Sequence, residues 1–244
     1  MSERYRRQIV LREVGVNGQQ LLRDSSVVVI GLGGLGSIAA LYLAGAGIGR
    51  LVLADRDRVE ASNLHRQILY RSEDLGRPKT QAARERLQAL NPEVEYALHE
   101  GKLDAQILDA LAAEADVVLD CTDNFPTRFA INAACVRARK PLVSGAAIRF
   151  EGQLAVFDAR QKGAPCYACL FPGEGEASET CEEAGVLGPV VGTIGSLQAL
   201  AAIRLLLGQG TDVSRLQIWN AAAMSWRTLT VAKDPHCKVC GAPA

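Results

Sequence analysis

Residues 27–36 read VVVIGLGGLG, an apolar, β-branched run that passes directly into a glycine-rich turn and then a helix-forming stretch. A strand that ends this way sets the free N–H groups of the next helix at its carboxyl end, where they can bind phosphate oxygens. The next apolar run, LVLAD, ends on Asp55, an acid placed to hold a ribose hydroxyl. Two such strands joined by a helix must run parallel, because only a crossover returns the chain to the same end of the sheet.

The rhythm continues. Short β-branched runs at 27–30, 51–54, 94–98, 116–120 and 141–143 alternate with helical stretches near 34–46, 78–90, 104–113 and 126–139. This predicts an α/β fold with a Rossmann-like, mainly parallel sheet covered by helices on both faces. After about residue 147 the pattern changes to alternation, in FEGQLAVFD, RLQIWNA and WRTLTVAK. These segments predict antiparallel C-terminal strands that extend one edge of the same sheet, since no linker precedes them. One domain over residues 1–244 is expected, with a nucleotide-binding half at 1–146 and a second half at 147–244.

Lys plus Arg equals Asp plus Glu at 27 each, so no net field draws the chain to nucleic acid or to an anionic membrane. The N-terminus MSERYRRQIV has no apolar signal core, which argues for a cytoplasmic protein. There, the seven cysteines are thiols or metal ligands rather than disulfides. Ala184 to Ile203 is uncharged over the length of a membrane span, but Gly188-Pro189, Thr193, Ser196, Gln198 and the following Arg204 read better as a loop and a helix buried in protein. Pro172 to Gly185 carries five glutamates and no basic residue, a composition expected of a mobile crossover loop.

Three further groups of residues carry chemistry. Cys166 with Cys169, and Cys237 with Cys240, form two CxxC pairs far apart in the chain, a set that suits tetrahedral Zn2+ in a closed structural site. A redox motif would need only one pair. His236, beside the second pair, is read as a bystander. Arg66, within SNLHRQ, and Lys79, within GRPKTQAA, come soon after Asp55 and can stabilise charge on a departing pyrophosphate. Asp123 and Asn124 follow the strand VVLD, at the end where ligands bind in parallel sheets. Asp123 there can hold Mg2+, or either residue can cap the next helix.

In order along the chain, RYRRQI, GLGGLG, D-x-D-x-V-x-x-SNLHRQ, GRPK, DCTDN, SGAAIRFEGQ, CYACL, TCEEAGVLGPVVG, GSLQALAAI and CKVCG resemble the MoeB/ThiF/HesA family, bacterial relatives of the ubiquitin-activating enzymes. The resemblance covers nearly the whole chain. It implies a homodimer that binds Mg-ATP and adenylates the C-terminal Gly-Gly carboxylate of a small ubiquitin-like sulfur-carrier protein, with carrier, dimer and zinc contacts in the second half. By position it places Gly34 against the nucleotide, Asp55 on the ribose and Ser62, Asn63, Leu64, His65 and Arg66 in the nucleotide loop. It makes Arg66 and Lys79 phosphate-binding cations, Asp123 the Mg2+ ligand and Asn124 its neighbour in the nucleotide pocket. Arg7 matches an arginine that reaches the other subunit's phosphates.

A carboxylate is ionised at neutral pH, so its attack on the α-phosphorus needs alignment and charge neutralisation, and no general base. Cys181, in the acidic loop, is the cysteine best placed to react. Some relatives link the carrier covalently at the matching position and others do not need it. The end of the chain after Cys240 implies a separate sulfur donor. Two alternatives stand beside adenylation: an NAD-dependent oxidoreductase, which leaves Arg66, Lys79 and Asp123 without a joint purpose, and a non-catalytic zinc-stapled binding module of the same fold.

Overall fold

The computed structural model describes residues 3–171, 184–210 and 213–241. Eight strands form one sheet: β1 (Ser26–Ile30), β2 (Arg50–Asp55), β3 (Glu95–Glu100), β4 (Val117–Asp120), β5 (Pro141–Ile148), β6 (Glu151–Asp158), β7 (Arg215–Asn220) and β8 (Ser225–Thr230). Their spatial order is β3-β2-β1-β4-β5-β6-β7-β8. The first five lie parallel and the last three continue the sheet as antiparallel neighbours. The predicted parallel core and the antiparallel extension are both present.

Alternate side chains of the central strands go to opposite faces. Val27, Val29, Leu51, Leu53, Val117 and Leu119 join one apolar cluster, beneath α3 (Gly34–Ala46), α4 (Lys79–Leu90) and α8 (Gly188–Leu206). Val28, Ile30, Val52, Ala54 and Val118 join the other, beneath α5 (Ala105–Glu114) and α6 (Phe125–Ala138). Burial on both faces explains why these strands read as unbroken apolar runs. At the far edge β8 is exposed along its whole length, with Trp226 stacked on Trp219 of β7.

Short elements complete the chain: α1 (Arg6–Ile9), α2 (Gly15–Arg23) and α7 (Tyr167–Leu170). The Tyr5 hydroxyl accepts a bond from Asn91 Nδ2 at 2.8 Å, which pins the N-terminal segment to the end of α4. Among the described residues, α8 is the one helix long and apolar enough to cross a membrane. It lies instead against α3 and strands β4 to β6. Its fully buried Gln198 donates to the carbonyls of Asp120 at 2.8 Å and Val143 at 3.2 Å, bonds that lipid would not supply.

The strand order decides where a ligand can sit. From β1 the chain moves outward to β2 and β3, then returns to place β4 on the other side of β1. The turns after β1 and β4 therefore part to opposite faces and leave a crevice at the carboxyl ends, the switch point of an open parallel sheet.

Candidate active site

At that crevice Gly31 has φ +87, and a Cβ there would meet the Cys121 carbonyl oxygen at 2.8 Å. Glycine lets the two turns touch. α3 then starts at Gly34, with Gly33 as its extended N-cap, so the helix's first N–H groups open toward the crevice. The glycine requirement at Gly34 itself comes from packing: a Cβ would meet Val191 Cγ2 of α8 at 2.6 Å and the Arg66 carbonyl at 3.3 Å. Its missing side chain lets α8 and the Arg66 loop close over the turn.

Asp55, at the end of β2, accepts the N–H of Leu32 at 2.6 Å and that of Asp57 at 2.8 Å. The Leu32 carbonyl accepts a bond from Tyr70 Oη at 2.8 Å, so Leu32 in the glycine turn is held through both its N–H and its carbonyl. Burial raises the Asp55 carboxyl from its ordinary value, opposed by the nearby Lys79 ammonium and by the two N–H bonds. Two backbone bonds leave part of its acceptor capacity for a ligand hydroxyl.

Lys79 opens α4 and is buried, its Nζ 3.1 Å from Asp57 Oδ2. Asp57 is the second acid of the D-x-D pair, and its role was missed in the sequence although the spacing was visible. The loop between β2 and α4 is built from short turns. Asn63 is buried, Leu64 and Arg66 are half-buried, and Ser62 and His65 are exposed. Arg66 Nη1 donates to the Ser62 carbonyl at 2.9 Å and lies 2.9 Å from His65 Nε2, so the guanidinium is folded along its own loop.

After β4, Asn124 Oδ1 accepts the Thr127 N–H at 3.0 Å and caps α6. Of the two candidate caps, the structure uses Asn124. Asp123 is exposed, its Oδ1 taking a bond from Asn124 Nδ2 at 3.3 Å. Behind it, fully buried Asp120 binds the Thr122 N–H at 3.0 Å, the Thr122 hydroxyl at 2.7 Å and the Ser144 hydroxyl at 3.0 Å. Asp120 thus shapes the turn that presents Asp123. The sequence offered one signal for it, an acid closing an otherwise apolar strand. Asp120→Ala leaves three donors without their acceptor and is expected to cost about 2–3 kcal/mol in denaturant unfolding; a change under about 0.5 kcal/mol would show that the turn holds itself.

The four sulfurs of Cys166, Cys169, Cys237 and Cys240 all lie within 4.8 Å of one another, while His236 is not among the grouped ligands. The closest pairs are Cys169 with Cys240 at 3.4 Å and Cys166 with Cys237 at 3.7 Å. Such spacing fits four thiolates about 2.3 Å from one tetrahedral metal ion. A cleft of about 270 Å³, lined among others by Asn132, Cys135, Cys166 and Cys240, opens beside this cluster rather than at the glycine turn. Cys121 and Cys135 are buried, and burial pushes both thiols up, Cys135 to about 12, as structural thiols require. Cys181, and the segment 172–183 around it, lie outside the described residues. Arg7 is exposed on α1.

A family model described as the ThiF family matches residues 5–239. The chain is 50% identical over 238 residues to the Sulfur carrier protein ThiS adenylyltransferase of Escherichia coli K12, covering 98% of this chain and 94% of that one. It is 48% identical to the Molybdopterin-synthase adenylyltransferase of the same organism, covering 98% and 96%. Among solved structures, E. coli MccB with ATP superposes with a TM-score of 0.84 at 24% identity, over 99% of this chain and 74% of that one, a likeness of fold. A parallel sheet with this crevice, and relatives matched end to end, define an adenylyltransferase. The chain belongs to the ThiF family.

Proposed function

We propose that the chain uses Mg-ATP to adenylate the C-terminal Gly-Gly carboxylate of a small ubiquitin-like sulfur-carrier protein of the ThiS or MoaD type, releasing pyrophosphate ahead of thiocarboxylate formation. The observation that carries this reading is the convergence, at one switch point, of the β1 turn, the Arg66 loop, Lys79 and the exposed Asp123. An oxidoreductase would need the turn and Asp55 alone.

In this reading the N–H groups at the start of α3 and the backbone of the Ser62–Arg66 loop take the nucleotide, and Asp55 takes its ribose. Arg66 unfolds from its loop and Lys79 turns from Asp57 toward the phosphates, so that both offset negative charge as the carrier carboxylate approaches. Asp123, with Asn124 beside it, would hold Mg2+, which neutralises charge on the phosphate chain. The carboxylate oxygen bonds to the α-phosphorus, the bond to pyrophosphate breaks, and no proton moves. Cys166, Cys169, Cys237 and Cys240 would hold Zn2+ as a structural staple with no open position.

The assembly is proposed as a homodimer acting in the cytoplasm, with Arg7 reaching the nucleotide in trans and a separate protein donating sulfur. Residues 1–146 form the nucleotide-binding half and 147–244 the half for carrier, dimer and zinc. A covalent step at Cys181 would be seen as lost thiocarboxylate yield in Cys181→Ala.

The deciding measurement is exchange of labelled pyrophosphate into ATP. It is expected only when Mg2+ and a carrier with an intact Gly-Gly end are present, with ThiS-type and MoaD-type carriers offered in parallel. Exchange absent with both, or thermal protection by NAD and none by Mg-ATP, would overturn the reading.

A further inference from the structure

Asn132 sits on α6, eight residues beyond the Asn124 cap, so about 12 Å along the same helix. It is 1% exposed, among apolar neighbours such as Ile131 and Ala134, and a buried amide is costly unless its groups are bonded. Both ends are used, and on one target. Asn132 Oδ1 accepts the N–H of Tyr167 at 3.0 Å, while Nδ2 donates to the sulfur of Cys166 at 3.5 Å. The amide therefore clamps the Cys166–Tyr167 step from outside the CxxC knuckle.

The other bonds near the sulfurs are local. Cys169 Sγ takes the N–H of Cys166 at 3.5 Å, within one knuckle. Such bonds follow from any CxxC turn. The bond from Asn132 spans 34 positions and ties the cluster to a different helix. That helix is also the one whose first turn stands beside Asp123.

We propose that Asn132 is a positioning residue of the metal centre: its amide fixes the direction of the Cys166 thiolate and couples the four-sulfur cluster to α6. The inference rests on the reading of the cluster as a Zn2+ site. A thiolate carries lone pairs beyond the one given to a metal, and an N–H donor from a rigid helix limits the rotation of its Cβ–Sγ bond. Outer donors of this kind are worth about 10- to 100-fold in metal affinity. The neighbouring cleft, lined by Asn132, Cys166 and Cys240, gives a chelator a way to reach the sulfurs.

The test uses the full chain, with metal content first measured in the parent. Asn132→Leu removes both bonds at similar volume, and Asn132→Ala removes them by deletion, so the second serves if the first fails to fold. Ile131→Val, one position away and outside hydrogen-bonding reach, is the packing control. Zinc affinity is read by competition with a chromophoric chelator, and the sulfur-to-metal charge-transfer band is read after Co2+ is loaded. The expected result is a 10- to 100-fold loss of affinity and a shifted band in the Asn132 variants, with parental values in Ile131→Val. Parental affinity and an unshifted band in a folded Asn132 variant would make Asn132 a packing residue only. An equal loss in Ile131→Val would do the same, by showing general loosening. A parent that binds no metal would overturn the zinc reading, and this inference with it.

Discussion

Asp123→Ala is expected to lower carrier-dependent pyrophosphate exchange by about 10²- to 10³-fold, the scale for losing one charge-stabilising contact in a transition state. The melting temperature should hardly move, because Asp123 is exposed and the bond its Oδ1 accepts from Asn124 Nδ2 is long at 3.3 Å. Such surface positions carry within about 0.5 kcal/mol of stability. The adjacent Asn124→Ala should show the opposite balance: it removes the cap of α6, costing about 1 kcal/mol, and lowers exchange less than Asp123→Ala does. Arg66→Ala belongs with Asp123→Ala, since among the described residues the Arg66 guanidinium bonds within its own loop. Lys79→Met is a mixed case. It takes the nearest cation from Asp55, whose carboxyl burial already raises, and so weakens both the turn and the chemistry. Full exchange in both Asp123→Ala and Arg66→Ala would overturn the assignment of roles.

These residues differ in how far the sequence revealed them. The β1 run and its turn were legible because a strand buried on both faces must be apolar throughout, and because Gly31 works at a positive φ that few residues tolerate. The four cysteines were legible because their spacing is itself the local geometry of a metal knuckle. Asp120, Ser144 and Gln198 were not, since they meet across gaps of 24 and 78 positions and each reads locally as a polar residue in an apolar element. The division of labour between Asp123 and Asn124 was open, because either side chain can cap; it took the bond from Thr127 N–H to decide. Gly34 was anticipated from its place in the turn, yet what fixes it as glycine is Val191, 157 positions later, a contact no local pattern encodes.

Removing the metal is expected to give the largest loss of stability in this chain. The staple joins segments 71 positions apart, Cys166 to Cys237 and Cys169 to Cys240. If cross-linking acts chiefly by restricting the unfolded chain, a closed loop of that length is worth about 4 kcal/mol. For a protein of this size that corresponds to a fall of about 8–16 °C in melting temperature on chelation. Cys237→Ala should match it without chelator, as Cys237 is one of the two buried members of the set. The first consequence should be local, because among the described residues no helix or strand follows β8. Limited proteolysis should therefore cut near residues 232–241 before it reaches the parallel core. Mg-ATP protection should persist at temperatures below this local opening, since β1 is the middle strand of the parallel core and the Asp123 turn lies at the start of α6, ahead of Asn132. A shift of under about 2 °C, with metal shown by analysis to have left, would mean that the hairpin β7–β8 and its packing hold this edge unaided.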